Sequence, residues 1–215
     1  GYRNVYVDRN GSDTAPTLTE WKDYATTGVK GIYGFESSGG TSNPFTGNDL
    51  NLLALSGTAE SYVRYRNNQF NNNDGLGVES STGTSNNNRV ENNEYIVFDL
   101  GALSKNAVVT LTDVSDTTEA GRITWYAFDA SGTRVGTGTV SGTPLSSVLE
   151  FSLPTNINYQ YIAFTSTNNN AHFRVNGLRA EAAVTGNSTD EFTYTLSDSD
   201  GSLATAKLTI GTTGL

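Results

Sequence analysis

Hydrophobic and polar residues alternate along most of the second half of the chain, a pattern typical of half-buried β-strands. YIVFDL places Ile96, Phe98 and Leu100 on one face, and AVVTLTDV continues the alternation. VLEFSL, YQYIAFTS and HFRVNGLRA repeat it farther along. Runs of this kind at roughly 8–12-residue spacing are expected of two packed antiparallel sheets. The pattern therefore predicts an all-β fold, an antiparallel β-sandwich of jelly-roll type.

Two β-hairpins are predicted from turn residues placed between alternating runs. RITWYAF (122–128) passes through Asp129-Ala130-Ser131-Gly132 into TRVGTGTV, and its alternation points Trp125 inward. EFTYTL (191–196) passes through the acidic turn SDSDGS into ATAKLTI (204–210). Two strands alone are marginally stable, so the second hairpin is expected to pair with other strands.

The first half of the chain gives weaker signals. SYVRYR (61–66) alternates like a strand, and LNLLAL (50–55) has the pattern of a buried strand. TLTEWKDYA (17–25) is the best helix candidate because a threonine can cap its start. Residues 36–49 are predicted as a loop. Residues 67–94 contain too few apolar side chains to fold alone and are predicted to be a long loop over the sandwich.

These elements indicate two domains. Residues 15–183 are predicted to form the sandwich. The C-terminal hairpin, within 184–215, corresponds to the last third of a small immunoglobulin-like domain. Residues 1–14 contain a short alternating run, Val-Tyr-Val, and are expected to pair with that hairpin. The sandwich would then be inserted into a split extender domain.

Composition removes several classes of protein. The chain has no cysteine and one histidine, so disulfide frameworks, zinc-thiolate sites and cysteine nucleophiles are excluded. A net charge of −9 argues against nucleic acid or anionic lipid as a partner. No run approaches the ~18 apolar residues of a membrane helix, and no signal peptide opens the sequence, so membrane insertion is not expected. Aromatic residues make up 10% of the chain, enough for a folded core.

Carboxylates and amide side chains concentrate in the loop at 74–94, where Arg89 is the one basic residue. Calcium binds six to eight oxygens from such groups, and without a cation the carboxylates would repel one another. Glycines would let the backbone turn its carbonyls inward. A solvated polar loop is the alternative. The candidate metal ligands here are Asp74, Gly75, Gly77, Glu79, Glu91, Asn92 and Glu94.

A second acidic turn lies in the C-terminal hairpin. Asp198 and Asp200 flank a turn that ends in Gly201. One interpretation is a calcium site that stiffens tandem domains. The other is ordinary Asp-Gly turn chemistry, and the residues leave both open.

Three stretches resemble one known family: 74–101, with Val-Glu-Asn-Asn-Glu and Phe-Asp-Leu-Gly; 123–142, a central hairpin; and 159–180, a closing strand pair. The family is the calcium-dependent peptide-binding domain of very large RTX adhesins, which Gram-negative bacteria secrete by the type I route. Glu91 stands where the family usually has Asp, and Arg89 where it commonly has an acid or Gln. The closing TDEFTYTLSDSDGSLATAKLTI is similar to the end of an extender repeat.

The resemblance implies a secreted, cell-surface module, monomeric within a long adhesin, that captures peptide C-termini on a host or neighbouring cell. Cell adhesion, haemagglutination and biofilm formation would follow from such capture. Calcium would shape the site, and a ligand carboxylate would complete its coordination. The arginines could act as carboxylate forks; each could instead be an exposed strand residue, and the histidine an edge residue. The candidate ligand-binding residues are Arg64, Arg66, Asn88, Asn169, Asn170, His172 and Arg174.

Other functions compete with peptide capture. A calcium-dependent carbohydrate-binding module is the main alternative, with a stacking platform drawn from Tyr62, Tyr65, Trp125 and Tyr126. A purely structural extender is disfavoured by the long Asn-rich loop. An enzyme is not expected, because Gly-x-Ser-x-Gly, His-Glu-x-x-His and phosphate-loop patterns are missing from the sequence. Glu91 and Glu94 are three residues apart, a spacing that suits one cation better than the two sides of a sugar ring.

Overall fold

The computed structural model describes residues 2–6, 31–36, 43–56, 62–66, 75–79, 89–91, 94–167, 171–183, 188–197 and 203–212. The chain divides into two compact units, Gly1–Ala182 and Ala183–Leu215. The larger unit contains β1 (Tyr2–Tyr6), β2 (Gly31–Glu36), β3 (Phe45–Thr46), β4 (Asp49–Leu50), α1 (Leu52–Ser56), β5 (Tyr62–Arg66), β6 (Gly75–Glu79), β7 (Glu94–Thr112), α2 (Thr117–Ala120), β8 (Ile123–Phe128), β9 (Arg134–Thr139), β10 (Val148–Ser152), β11 (Tyr159–Ser166) and β12 (Arg174–Ala182). The smaller unit contains β13 (Ser188–Ser197) and β14 (Leu203–Thr212). The helix predicted at 17–25 lies outside the described residues.

One long strand, β7, belongs to both layers of the larger unit. It has 19 residues, and its first half, from Glu94 to Asp99, pairs antiparallel with β2 and β11. Its second half pairs antiparallel with β12 and β10. Gly101, with φ +73°, lies between the halves, where the strand changes direction. In the described part of the chain, ten strands joined in this way form an antiparallel β-sandwich, as the alternation predicts.

The first layer has the strand order β2-β7-β11-β8-β9, and the second has β10-β7-β12-β6-β5 with β1 also beside β12. The main core lies between them. Phe164 of β11 meets Phe98 of β7 and Phe151 of β10 edge to face, with ring centroids 6.2 Å apart in both pairs. Because β10 and β11 pair with opposite halves of β7, the second contact spans the sandwich. Ile96, Leu100 and Trp125 are buried in the same core, on the predicted faces.

A second, smaller core covers the outer face of the first layer. Val97 and Phe128 are fully buried there, beneath the segment 43–55. Phe45 packs on Tyr95 and Tyr126, with centroids 5.1 Å apart in each pair. The first layer is therefore buried on both faces, whereas the alternation alone predicts one buried face.

Two predicted loops contain regular structure. The loop at 36–49 includes the hairpin of β3 and β4, which turns at Gly47 with φ +64°. The loop at 67–94 includes β6, whose Leu76 and Val78 are buried in the main core. β6 pairs with β12 in the same layer, and its two apolar side chains point into the main core.

The prediction of a strand over 50–55 is wrong for most of its length. Leu50 ends β4, and Leu52–Ser56 form the short helix α1. Leucine and alanine are strong helix formers. The Asn51 side chain also accepts a hydrogen bond from the Leu53 amide at 3.1 Å, which caps the helix start.

The hairpin of the smaller unit is present where the sequence predicts it. β13 and β14 pair from Ser188 opposite Thr212 to Ser197 opposite Leu203. Phe192 lies opposite Leu208 in this register. Thr193 and Lys207, on the other face, are exposed. The four side chains of the hairpin that are described, those of Thr193, Thr195, Thr205 and Lys207, are polar and exposed.

The N-terminal strand lies in the larger unit. Tyr2–Tyr6 pair antiparallel with β12, from Tyr2 opposite Glu181 to Tyr6 opposite Gly177. The sequence pattern instead predicts that residues 1–14 pair with the C-terminal hairpin. An alternating pattern can pair with any free strand edge, so periodicity alone does not select the partner.

Tyr159 gives the fold a testable response to alkaline pH. Its hydroxyl accepts a hydrogen bond from the Ala107 amide at 2.6 Å, and burial raises the pKa of Tyr159 from 10.0 to about 12. In the unfolded chain the phenol ionises near pH 10. The contribution of Tyr159 to the free energy of unfolding is therefore fully present below pH 10 and is lost as the pH rises towards 12. We expect a loss on the order of 2 kcal/mol in urea unfolding between pH 9.5 and 12. Tyr159→Phe should not show this part of the loss of stability. If the free energy of unfolding depends on pH identically in both proteins, the loss does not come from Tyr159.

Candidate functional site

Five charged or titratable side chains converge at one end of the sandwich, and we call them the charged cluster: Arg89, Asp113, Glu119, His172 and Arg174. Strand pairing brings them together. Arg174 is the first residue of β12 and lies opposite Thr112, so Asp113, the residue directly after β7, lies beside it. The segment 89–91 reaches the same place because Val90 bridges to Phe173, with its amide donating to the Phe173 carbonyl at 2.7 Å.

Asp113 is the centre of the cluster. It has a left-handed backbone, φ +65°, which aspartate adopts more readily than most residues. Nη1 of Arg174 donates to its Oδ2 at 2.5 Å, and Nε of Arg89 donates to the same oxygen. Nη2 of Arg89 also lies 3.4 Å from Oδ1. One carboxylate therefore holds two guanidinium groups from different parts of the chain.

Glu119 holds His172. Its Oε1 accepts a hydrogen bond from the His172 amide at 2.9 Å and lies 3.2 Å from Nδ1 of the imidazole. Its Oε2 accepts from the Ser115 amide at 2.6 Å. The helix α2 that carries Glu119 is capped by Asp116, whose side chain accepts from the Glu119 amide at 2.8 Å. The backbone of His172 is thus held by Glu119, and its imidazole lies beside the same carboxylate.

The cluster has a buried base and an accessible edge. The side chain of Arg174 is fully buried, and those of Asp113 and Glu119 are 8% and 7% exposed. Arg89 and His172 are 25% and 26% exposed. With a neutral imidazole, the two arginines balance the two carboxylates, so the site carries no formal charge. A ligand at this end of the sandwich would contact Arg89 and His172, and the buried ion pairs would lie behind these two side chains.

Two members of the charged cluster are among the residues that the sequence analysis proposes, and their role in binding stays a prediction. His172 and Arg174 were candidate ligand-binding residues, and the structure brings them together. Arg174, expected to be a reachable carboxylate fork, is instead fully buried against Asp113. Asp113 and Glu119 were missed because they lie 61 and 53 residues from their partners. The sequence does contain one indication of Asp113, because this carboxylate directly follows the strand pattern AVVTLT.

Two of the predicted metal ligands, Gly75 and Gly77, lie in β6, and Gly75 has a packing role there. Both are buried in β6, opposite Arg66 and Arg64 of β5. A Cβ on Gly75 would come within 2.8 Å of the Arg174 Cβ. Gly75 thus lets β6 approach the residue that anchors the charged cluster. The side chains of Arg64, Arg66 and Glu79 lie outside the described residues.

Glu91 and Glu94 form a local turn. Oε2 of Glu94 accepts a hydrogen bond from the Glu91 amide at 2.8 Å, and the Glu94 amide donates to the Glu91 carbonyl at 3.1 Å. Within the described ranges, no group of three or more His, Asp or Glu side chains is placed to hold a metal ion. The other predicted ligands lie outside the described residues, and their roles stay predictions: Asp74, Asn88, Asn92, Asn169, Asn170, Asp198 and Asp200.

The structure buries part of the aromatic platform that the sequence suggests for a carbohydrate. Trp125 is 6% exposed in the main core, where Gly138 makes room for its ring. Tyr126 is half-buried against Phe45. The side chains of Tyr62 and Tyr65 lie outside the described residues. Of this candidate platform, the two side chains that the structure describes are thus buried or half-buried.

No protein-family model matches the chain, and no curated protein sequence matches it significantly. Several solved structures are similar to it. Discoidin II from Dictyostelium discoideum has 12% identity and a TM-score of 0.37, over 81% of this chain and 64% of that one. A fucose binding module from Streptococcus pneumoniae has 10% identity and a TM-score of 0.35, over 57% of this chain and 93% of that one. The family 32 carbohydrate-binding module of C. perfringens NanJ, solved with galactose, has 16% identity and a TM-score of 0.31, over 56% and 93%.

The described residues of the larger unit thus form an antiparallel β-sandwich with the charged cluster at one end. None of the helices in the described ranges has the length and apolar character needed to cross a bilayer.

Proposed function

We propose that the larger unit is a carbohydrate-binding module, without catalytic activity, that holds a neutral sugar on Arg89 and His172. The observation that supports this most strongly is that two accessible polar side chains lie against buried carboxylates, one of which also pairs with the fully buried Arg174. A sugar presents hydroxyl groups that both donate and accept hydrogen bonds. Arg89 supplies donors only, and a neutral histidine supplies one acceptor. The two side chains together meet both requirements.

The rigidity of the cluster favours binding. Arg89 is hydrogen-bonded to Asp113, and Nδ1 of His172 lies 3.2 Å from Oε1 of Glu119, so both side chains are already positioned when a ligand arrives. Ordering a free long side chain costs about 0.5–1.5 kcal/mol, and a preformed site avoids that cost. A shallow site that binds through a few hydrogen bonds depends on such preorganisation.

The charge balance favours a neutral ligand over an anion. Both arginines already face the Asp113 carboxylate, and Glu119 lies beside the imidazole. A peptide C-terminus would add a third carboxylate to a site whose charges are already paired. Capture of peptide C-termini therefore stays the second candidate and depends on calcium bound by residues outside the described ranges. In both cases we place the module at a cell surface, as part of an adhesin.

Replacing Arg89 by glutamine is expected to weaken glycan binding about tenfold or more, because a hydrogen bond to a charged group contributes about 1.5–3 kcal/mol. The protein would first be screened on immobilised glycans ending in fucose, galactose or xylose, with free-carboxylate and amidated peptides on the same surface. The best ligand would then be titrated by calorimetry. Arg179→Gln is the matched control, since Arg179 is 48% exposed and contacts Glu150 at 3.6 Å, away from the cluster.

Equal glycan affinity in wild type and Arg89→Gln, with both proteins folded by melting temperature, would contradict the site. Binding of peptides that is lost on amidation would favour the second candidate. The same titration with EDTA tests the calcium proposal. If calcium supports the loop at 74–94, EDTA should lower both the melting temperature and the affinity, and added calcium should restore them.

A further inference from the structure

The outer face of the first layer carries a buried carboxylate between two tyrosines. Asp99 is two positions after Val97 in β7 and shares its outward face. It is 6% exposed and lies opposite Gly31 of β2 on one side and Tyr161 of β11 on the other. The Tyr33 hydroxyl folds over Gly31, where a Cβ would clash with it. Because neighbouring strands are only about 5 Å apart, both phenol groups lie near the carboxylate.

This carboxylate is hydrogen-bonded but lacks a counter-charge in the described part of the chain. Its Oδ1 accepts from the Gly101 amide at 2.7 Å and from Nε2 of Gln160 at 3.3 Å. The same Gln160 nitrogen lies 3.2 Å from the Tyr161 hydroxyl. Within the described ranges, the lysines, arginines and histidine form no ion pair with Asp99. Burying a charge without an opposite charge is costly, so this position favours a cation from outside the chain.

The two phenols interact with the carboxylate and stay neutral. Burial raises the pKa of Tyr161, and the charges of Asp99 and Tyr33 raise it further. Burial also raises the pKa of Tyr33, again with Asp99 as the second cause. Tyr33 and Gln160 are half-buried, so they form the accessible edge of the group. We call Tyr33, Asp99, Gln160 and Tyr161 the outer-face patch.

We propose that the outer-face patch binds the primary ammonium group of a small organic ligand. An ammonium group has three N–H donors and no acceptor. The Asp99 carboxylate and the two phenol oxygens supply acceptors, and the tyrosine rings attract a cation to their faces. The net charge of −9 also favours the approach of a cation. This site is separate from the charged cluster, where arginines already pair with the carboxylate, and it does not depend on the proposed carbohydrate function.

The test is a titration of ¹⁵N-labelled protein with n-butylammonium and with glucosamine, which distinguish an alkyl amine from an amino sugar. We expect the largest shifts at the Gly101 amide and at the Gln160 side-chain amide, since both donate to Asp99. n-Butanol and N-acetylglucosamine have no ammonium group and should leave these signals unchanged. Asp99→Asn keeps an acceptor for the Gly101 amide and removes the charge, so the amine affinity should fall about tenfold or more.

Asp129→Asn is the matched control. Asp129 also accepts from backbone amides, those of Ser131 and Thr133, in the turn between β8 and β9. The substitution removes the same charge from the protein, so a general attraction of cations would fall equally in both variants. We expect Asp129→Asn to bind the amines with wild-type affinity.

Equal amine affinity in wild type and in folded Asp99→Asn would overturn this inference, as would unchanged Gly101 and Gln160 signals or equal shifts with n-butanol. If Asp99→Asn does not fold, Tyr33→Phe decides, because it removes one hydroxyl and leaves the carboxylate. Its amine affinity should fall about threefold, and an unchanged affinity would contradict the site. The proposed function is tested separately by neutral glycans and Arg89→Gln, so either can fail while the other holds.

Discussion

Replacing Asp113 by alanine is expected to lower the free energy of unfolding by about 3–5 kcal/mol, the usual cost of removing one partner from a buried ion pair. Arg174 is fully buried, and its Nη1 lies 2.5 Å from the Asp113 carboxylate. Without that carboxylate the guanidinium loses its closest counter-charge in a place that water does not reach. Arg89 loses its hydrogen bond to the same carboxylate oxygen, so we expect the variant to lose glycan binding as well as stability. Urea unfolding monitored by fluorescence measures the first effect.

Two controls separate this effect from a general loss of surface charge. Glu150→Ala breaks an exposed contact to Arg179 and should cost at most about 1 kcal/mol. The double variant Asp113→Ala with Arg174→Met removes both buried charges, and it should be more stable than Asp113→Ala alone. If Asp113→Ala costs no more than Glu150→Ala, the buried ion pair does not support the site.

Replacing Gly75 by alanine is expected to cost about 2–4 kcal/mol, from backbone strain and overpacking together. Gly75 has φ +152°, a conformation that L-residues rarely adopt. A Cβ there would lie 2.8 Å from the Arg174 Cβ and 3.0 Å from the Val175 carbonyl oxygen. Neither atom is the far end of a flexible side chain, so β6 and β12 would have to separate.

Gly121→Ala is the matched control for Gly75→Ala. Gly121 follows α2 with φ −65°, and a Cβ there would meet its nearest atom, the Thr117 carbonyl oxygen, at 3.5 Å. This substitution should be neutral or slightly stabilising, because alanine has less conformational freedom than glycine in the unfolded chain. Thermal unfolding of both variants measures the difference, and we expect a lower melting temperature for Gly75→Ala than for Gly121→Ala. Equal melting temperatures would show that β6 does not pack on Arg174 as described.

The strands were predictable from sequence where one face is buried and the other is polar. Ile96, Phe98 and Leu100 lie in the main core as their alternation indicates. Alternation is a local property, so it does not choose partners: β1 pairs with β12, and the outer face of the first layer is covered by the segment 43–55. A capped Leu-rich stretch was read as a strand because short apolar runs fit either structure.

The site was predictable only in part, for a related reason. His172 and Arg174 were chosen for their chemistry, but the carboxylates that hold them come from the end of β7 and from α2. Such pairs depend on strand register, which a single sequence does not contain. Gly75 shows the same limit: its need for a special backbone was foreseen, whereas its neighbour Arg174 is 99 positions later in the chain.

The location of a bound neutral glycan tests the central claim most directly. In a titration of ¹⁵N-labelled protein with the best glycan from the screen, we expect the largest shifts at the amides of Asp113 and 171–174 and at Nε of Arg89. Shifts centred on the outer face around Phe45 and Tyr126, or on the hairpin of β13 and β14, with the charged cluster unchanged, would contradict the account.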